Sequence, residues 1–121
     1  MDFSKEYIKM CDCPEIQEYA DTDGFRSLNI LPNVYWDKEH GFSSFYRYKH
    51  SNNIWLPRQD QLQEMVKKDL TDIELIEEIY DYLCENPNEI KVKADYSMEM
   101  VWLAYMMKEK FSKTWNGEEW G

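Results

Sequence analysis

The chain has 121 residues, 43% of them hydrophobic and 16% aromatic, which is enough apolar material to bury a core without disulfide staples and excludes a disordered tail. Twenty-four acidic residues against fourteen basic ones give a formal charge of −10, a field that repels phosphate backbones and anionic lipid heads and so argues against direct binding to nucleic acid or a membrane surface. No apolar run reaches the roughly 18 residues of a membrane span.

The start carries Asp2, Lys5, Glu6 and Lys9 where a signal peptide would be apolar. The three cysteines, Cys11, Cys13 and Cys84, form an odd set at no disulfide-framework spacing, which suits thiols or ligands in a reducing, cytoplasmic compartment. A single domain over residues 1–121 is expected.

In chain order, Ser4 is placed to cap a short helix with Tyr7, Ile8 and Cys11 on one stripe. Pro14 then opens a second helical piece through Tyr19. From Phe25 to Trp55 the composition turns aromatic and β-branched, broken by Pro32-Asn33, His40-Gly41 and Ser51-Asn52-Asn53. Val34-Tyr35-Trp36 and the run from Phe42 to Tyr48 read as a hairpin across the Asp37 to Gly41 turn, with a further strand over Phe25 to Leu31.

Pro57 is placed to open a helix with Leu62, Met65 and Val66 as its stripe. Thr71-Asp72-Ile73-Glu74 reads as a capping box that launches another helix to about Glu85. Ser97 caps a last helix from Met98 to about Lys113 that is apolar nearly all round, the mark of a central core element. The tail from Trp115 to Trp120 turns at Asn116-Gly117. The expected fold is α+β: a small antiparallel sheet over about residues 25–56, packed by helices from the N-terminus and from the C-terminal half.

The clearest chemical pattern is a row of carboxylates on the Thr71 helix. Glu74, Glu77, Glu78, Asp81 and Glu85 share one face, with no Lys or Arg between Asp69 and Ile90. Ile73, Ile76, Tyr80, Leu83 and Cys84 fall opposite and are expected to be the buried side. Such a row reads either as a solvated helix face or as a contact for a basic surface, imitating the phosphate spacing of nucleic acid. A second cluster, Cys11 and Cys13 with His40 and His50, offers the thiolate and imidazole ligands of a structural zinc site, although neither pair has zinc-knuckle spacing. The bland alternative keeps the cysteines as free thiols, and no cofactor is otherwise expected.

Catalytic motifs are missing from the sequence. It has no nucleophile elbow, no HExxH and no Walker loop, and only four glycines. Asp37-Lys38-Glu39-His40 gathers titratable groups, as polar turns commonly do. The stretch from Trp55 to Met65 reads as a core tryptophan followed by a proline-started helix, or as an exposed contact rim.

Three segments, Tyr7 to Cys11, Trp55 to Met65, and Trp102 to Phe111 with Trp115 to Trp120, resemble a family of small proteins encoded by phages and prophages of low-GC Gram-positive bacteria. The region Gly24 to Lys49 matches least. Short acidic phage proteins of this kind include inhibitors of host defence, anti-CRISPR proteins among them. The family has no assigned activity, and what the resemblance implies is the class of partner, a host protein with a basic nucleic-acid-binding surface. With the charged start and the missing catalytic motifs, the expectation is a cytoplasmic, non-enzymatic interaction protein. A metal-stabilised phage accessory factor or small metal-dependent enzyme, and a phage replication or packaging accessory protein, are the alternatives.

Overall fold

A computed structural model of the chain describes residues 2–19, 33–39, 41, 43–46, 53–67, 69–85 and 96–121. The chain divides into two compact units, Met1–Arg58 and Gln59–Gly121.

In the first unit the Ser4 hydroxyl accepts the Tyr7 backbone amide at 3.1 Å and starts α1, Lys5–Cys11. Its buried residues are Tyr7, Met10 and Cys11. Met10 thus takes the place expected for Ile8, which is half-buried, because the i, i+3, i+4 stripe runs one position further round the helix. Pro14 supplies the first residue of α2, Pro14–Gln17, where its missing N–H costs nothing.

Three strands follow: β1, Asn33–Asp37; β2, Ser43–Tyr46; and β3, Asn53–Leu56. They form an antiparallel sheet in the order β2-β1-β3, with Val34 opposite both Phe45 and Leu56 and Tyr35 opposite both Ser44 and Trp55. The β1–β2 turn opens with the Asp37 carboxylate accepting the Glu39 amide at 2.9 Å. It closes with the Gly41 amide on the Asp37 carbonyl at 2.9 Å, Gly41 taking the left-handed φ of 69° that favours glycine. The fold is α+β with a small antiparallel sheet, as the residue pattern indicates. The strand expected over residues 25–31 lies outside the described residues.

Both short helices pack on β3, and two side chains fasten them there. The Tyr7 hydroxyl donates to the Pro57 carbonyl at 2.6 Å. Gln17 is the second: its Oε1 accepts the Trp55 amide at 2.9 Å, while its Nε2 donates to the carbonyls of Trp55 at 3.0 Å and Cys11 at 2.8 Å. One side-chain amide thus serves the outer edge of β3 at Trp55 as the peptide of a further strand would, which blunts that edge.

In the second unit α3, Gln59–Lys67, begins two residues beyond Pro57, and Pro57 itself is buried ahead of the helix rather than forming its first turn. Leu62, Met65 and Val66 are buried as the periodicity predicts, joined by Gln61. The Thr71 capping box is realised in both directions. The Glu74 amide reaches the Thr71 hydroxyl and the Thr71 amide reaches the Glu74 carboxylate, each at 3.2 Å, at the head of α4, Asp72–Glu85. Lys67, in the last turn of α3, meets Asp72, in the first turn of α4, at 2.8 Å.

Ser97 caps α5, Met98–Phe111, by accepting the Met100 amide at 3.1 Å. Every residue from Met100 to Met107 is buried, and α5 packs against both α3 and α4. The helix stops two residues before the expected end, where Ser112 turns left-handed at φ 54° and its amide returns to the Met107 and Lys108 carbonyls. The tail then folds back through the Asn116-Gly117 turn, with Gly117 at φ 100°, Trp115 bridged to Trp120, and their rings 5.1 Å apart.

The Gln17 arrangement makes a direct prediction. Gln17→Ala leaves the Trp55 peptide and the Cys11 carbonyl short of partners and costs about 2 kcal/mol, seen as a lower urea midpoint at unchanged slope. Gln17→Glu, which cannot donate to either carbonyl, destabilises as well. An unchanged midpoint in both variants contradicts the arrangement.

Candidate functional site

Helix α4 presents three faces rather than two. Leu75, Ile79 and Tyr82, spaced i, i+4, i+7, are the buried stripe, at 4, 7 and 7% exposure. Tyr82 anchors it with its ring 5.4 Å from that of Tyr105, which in turn meets Trp102 edge-on at 6.0 Å. Beside this stripe runs a second apolar row, Ile73, Ile76 and Tyr80, at 71, 61 and 64% exposure. Leu83 continues the row half-buried and Cys84 continues it exposed.

The sequence expectation that Ile73, Ile76, Tyr80, Leu83 and Cys84 form the buried side is therefore corrected. The apolar residues of α4 cover a wider arc than one neighbouring helix can bury. Both candidate rows have helical spacing, and the aromatic contact at Tyr105 selects the one that contains Tyr82.

The third face is acidic. Glu74, Glu77, Glu78, Asp81 and Glu85 are all exposed, as expected from their spacing, and none of them forms an ion pair among the described residues. Glu74 has a second role in the capping box. Hydrogen bonds from the Thr71 side chain and then its backbone hold this carboxylate below its ordinary pKa. The last turn of α4 contains no basic residue, so within the helix nothing offsets the negative end of its dipole next to Glu85. Tyr80, on the neighbouring row, has its phenol pushed up first by a hydrogen bond with Cys84.

A cleft of about 310 Å³ opens in the same unit, lined by Val66, Asp69, Leu70, Glu78, Tyr105, Glu109 and Lys110. Its residues come from α3, the α3–α4 connection, α4 and α5, so no local sequence pattern announces it. Glu78 belongs both to the acidic face and to this lining.

The proposed zinc ligands fare differently. Cys11 is fully buried in the first unit, and burial raises its thiol well above the ordinary value, against a hydrogen bond from Tyr7 that lowers it. Cys13, at the joint between α1 and α2, is pushed up to about 11, chiefly by burial. His40 and His50 lie outside the described residues, among which no group of three or more His, Cys, Asp or Glu side chains is placed to hold a metal ion. Of the polar turn after β1, Lys38 lies 3.7 Å from Asp12. In the segment from Trp55 to Met65, Trp55, Leu56, Pro57, Gln61, Leu62 and Met65 are buried, so much of that stretch serves packing. No described helix is long and apolar enough to cross a membrane.

No protein-family model matches this chain, no curated protein matches it in sequence, and no solved structure matches it.

Thiol chemistry separates the cysteines. With an aromatic disulfide reagent at about pH 8, where a thiol of pKa about 11 is only about 0.1% thiolate, exposed Cys84 reacts first and Cys13 slowly. Cys11 reacts only on unfolding, each site being read by peptide mass spectrometry. Cys11 reacting as fast as Cys84 contradicts its placement in the core.

Proposed function

We propose that this chain is a non-enzymatic interaction protein that binds a basic surface of a protein partner through the two outer faces of α4. The observation that carries this reading is the row of Ile73, Ile76 and Tyr80, each more than 60% exposed, lying alongside five carboxylates that form no ion pair among the described residues. A helix face that serves only solubility has no use for three adjacent large apolar side chains, each of which forfeits most of the stabilisation that burial would bring.

Acidic and apolar rows side by side divide the work of recognition. The carboxylates, in a field of net charge −10, steer a cationic surface into register and set the rate of encounter. The isoleucines and tyrosine supply the desolvated anchor that sets residence time. The mode is a helix laid into a groove, read by anchors at i, i+3 and i+7.

Protein channels for single-stranded nucleic acid combine a basic groove with aromatic side chains, a combination that suits an acidic row beside an apolar one. The resemblance to small phage proteins supports the same class of partner: a host nucleic-acid-handling complex, such as a CRISPR effector, which the chain would inhibit by occupying that channel.

The test uses immobilised chain in lysate of a low-GC Gram-positive host at about 50 and about 500 mM salt, conditions that change the screening length by roughly threefold. Capture of a basic protein is expected to fall at least tenfold at high salt and to disappear when Glu77, Glu78 and Asp81 are reversed to Lys. Glu74 stays in place because it caps the helix. Ile76→Ser with Tyr80→Ser should weaken capture at both salt concentrations, with helicity by circular dichroism unchanged. Equal capture of the same protein by the charge-reversed chain overturns the reading.

A further inference from the structure

The cleft beside α4 has a chemistry of its own. Among its described lining residues, Asp69, Glu78 and Glu109 carry carboxylates and Lys110 carries an ammonium. Ionised carboxylates only accept hydrogen bonds, so the rim calls for a ligand made of donors. Val66 and Leu70 provide the apolar part of the wall. At about 310 Å³ the cleft lies at the small end of the range for ligand sites, about 300–1,000 Å³, a size for one side chain rather than a cofactor.

An independent observation points into the same space. Tyr105 is only 2% exposed, yet it lines the cleft, and its hydroxyl makes no hydrogen bond among the described residues. The ring is enclosed while the hydroxyl keeps access to solvent, so the hydroxyl is the part of Tyr105 that opens on the cleft and can be reached by a ligand. Burial first, and then the charges of Glu109 and Glu78, push this phenol up to about 12, so it stays protonated and is available both to donate and to accept.

We infer that this cleft receives the guanidinium of an arginine side chain from the protein partner, its methylene stem on Val66 and Leu70, its donors shared among Asp69, Glu78, Glu109 and the Tyr105 hydroxyl. The choice of arginine over lysine follows from where the acceptors come from. The three carboxylates stand on the α3–α4 connection, on α4 and on α5, and a planar fork of five N–H groups reaches several directions at once, whereas an ammonium is a compact point charge. The apolar wall suits a side chain that buries its stem and keeps its charged head among acceptors. This inference rests on the reading of α4 as a contact for a basic surface and names the side chain by which that surface is gripped. Glu78 links the two, being shared between the acidic face and the cleft.

The test is an NMR titration of the full-length chain with N-acetyl-arginine amide, N-acetyl-lysine amide and N-acetyl-citrulline amide, citrulline being nearly the same shape without the charge. Arginine amide should shift the resonances of Val66, Leu70, Tyr105 and Glu109 with a Kd of about 1 mM. Lysine should bind several-fold more weakly, and citrulline should leave those resonances unmoved. Glu109→Gln, in the cleft but off α4, should weaken arginine binding about tenfold, and Tyr105→Phe, which keeps the ring, should weaken it several-fold. Lys110→Gln, which removes the resident cation, should tighten it. Glu18→Gln, exposed after α2 and not part of the cleft lining, should change nothing. A melting temperature for each variant establishes that it is folded.

Citrulline binding as well as arginine, arginine shifts that map elsewhere, or indifference to both Glu109→Gln and Lys110→Gln overturns the cleft assignment. Salt-sensitive capture of a basic partner that survives Glu109→Gln undiminished also counts against the cleft while leaving the α4 reading intact. Arginine binding in the cleft together with capture indifferent to reversal of Glu77 and Asp81 has the opposite meaning: the cleft stands and the α4 reading falls. A free guanidinium metabolite rather than a protein side chain would show itself by binding guanidine-bearing small molecules tightly and an arginine-containing peptide not at all, which contradicts the assignment to a protein partner.

Discussion

Helix α4 is held to its unit by three side chains on one narrow stripe, Leu75, Ile79 and Tyr82, with the Tyr82 ring against Tyr105 as the most specific contact. That is the constraint from which the surface chemistry follows. Two of the three faces of α4 are left outside, and one of them is apolar. Had the packing chosen the row of Ile73, Ile76 and Tyr80 instead, the exposed remainder would be of another kind. Helix α5 makes this possible because it is buried along eight consecutive residues and offers its neighbours an apolar surface almost without polar interruption, so α3 and α4 dock by shape and ring geometry.

Electrostatics reinforce the same asymmetry. The basic side chain closest in sequence ahead of α4 whose contact is described, Lys67, is committed to Asp72 at the corner between α3 and α4. That exposed pair contributes little to stability, and among the described residues the row from Glu74 to Glu85 forms no ion pair. The first unit shows the contrary economy. There Gln17 serves two carbonyls and an amide and Tyr7 serves the Pro57 carbonyl, so the outer edge of β3 is covered at Trp55 where α4 is open.

Much of this was legible in the residues, and what failed did so for physical reasons. The capping box at Thr71, the Ser4 and Ser97 caps, the Asp37 to Gly41 turn and the all-apolar run of α5 are local signals, set by hydrogen bonds within three or four residues, and each appears where the sequence places it. The acidic row was equally legible, because ionised carboxylates stay in water unless paired. The choice between two apolar rows on α4 depends on which aromatic ring of α5 they meet, a contact more than twenty residues away in the chain, and periodicity is blind to it. Pro57 fits a helix start by propensity, yet its carbonyl is taken by Tyr7, fifty residues earlier. The cleft was beyond reach of any pattern, since its residues are scattered over four segments.

The central claim, that α4 turns Ile73, Ile76 and Tyr80 to solvent and Leu75, Ile79 and Tyr82 to the core, is tested most directly by hydroxyl-radical footprinting of the isolated chain at residue level. Oxidation of the first set well ahead of the second is the result this account predicts. Equal protection of both sets, or faster labelling of Leu75, Ile79 and Tyr82, would contradict it.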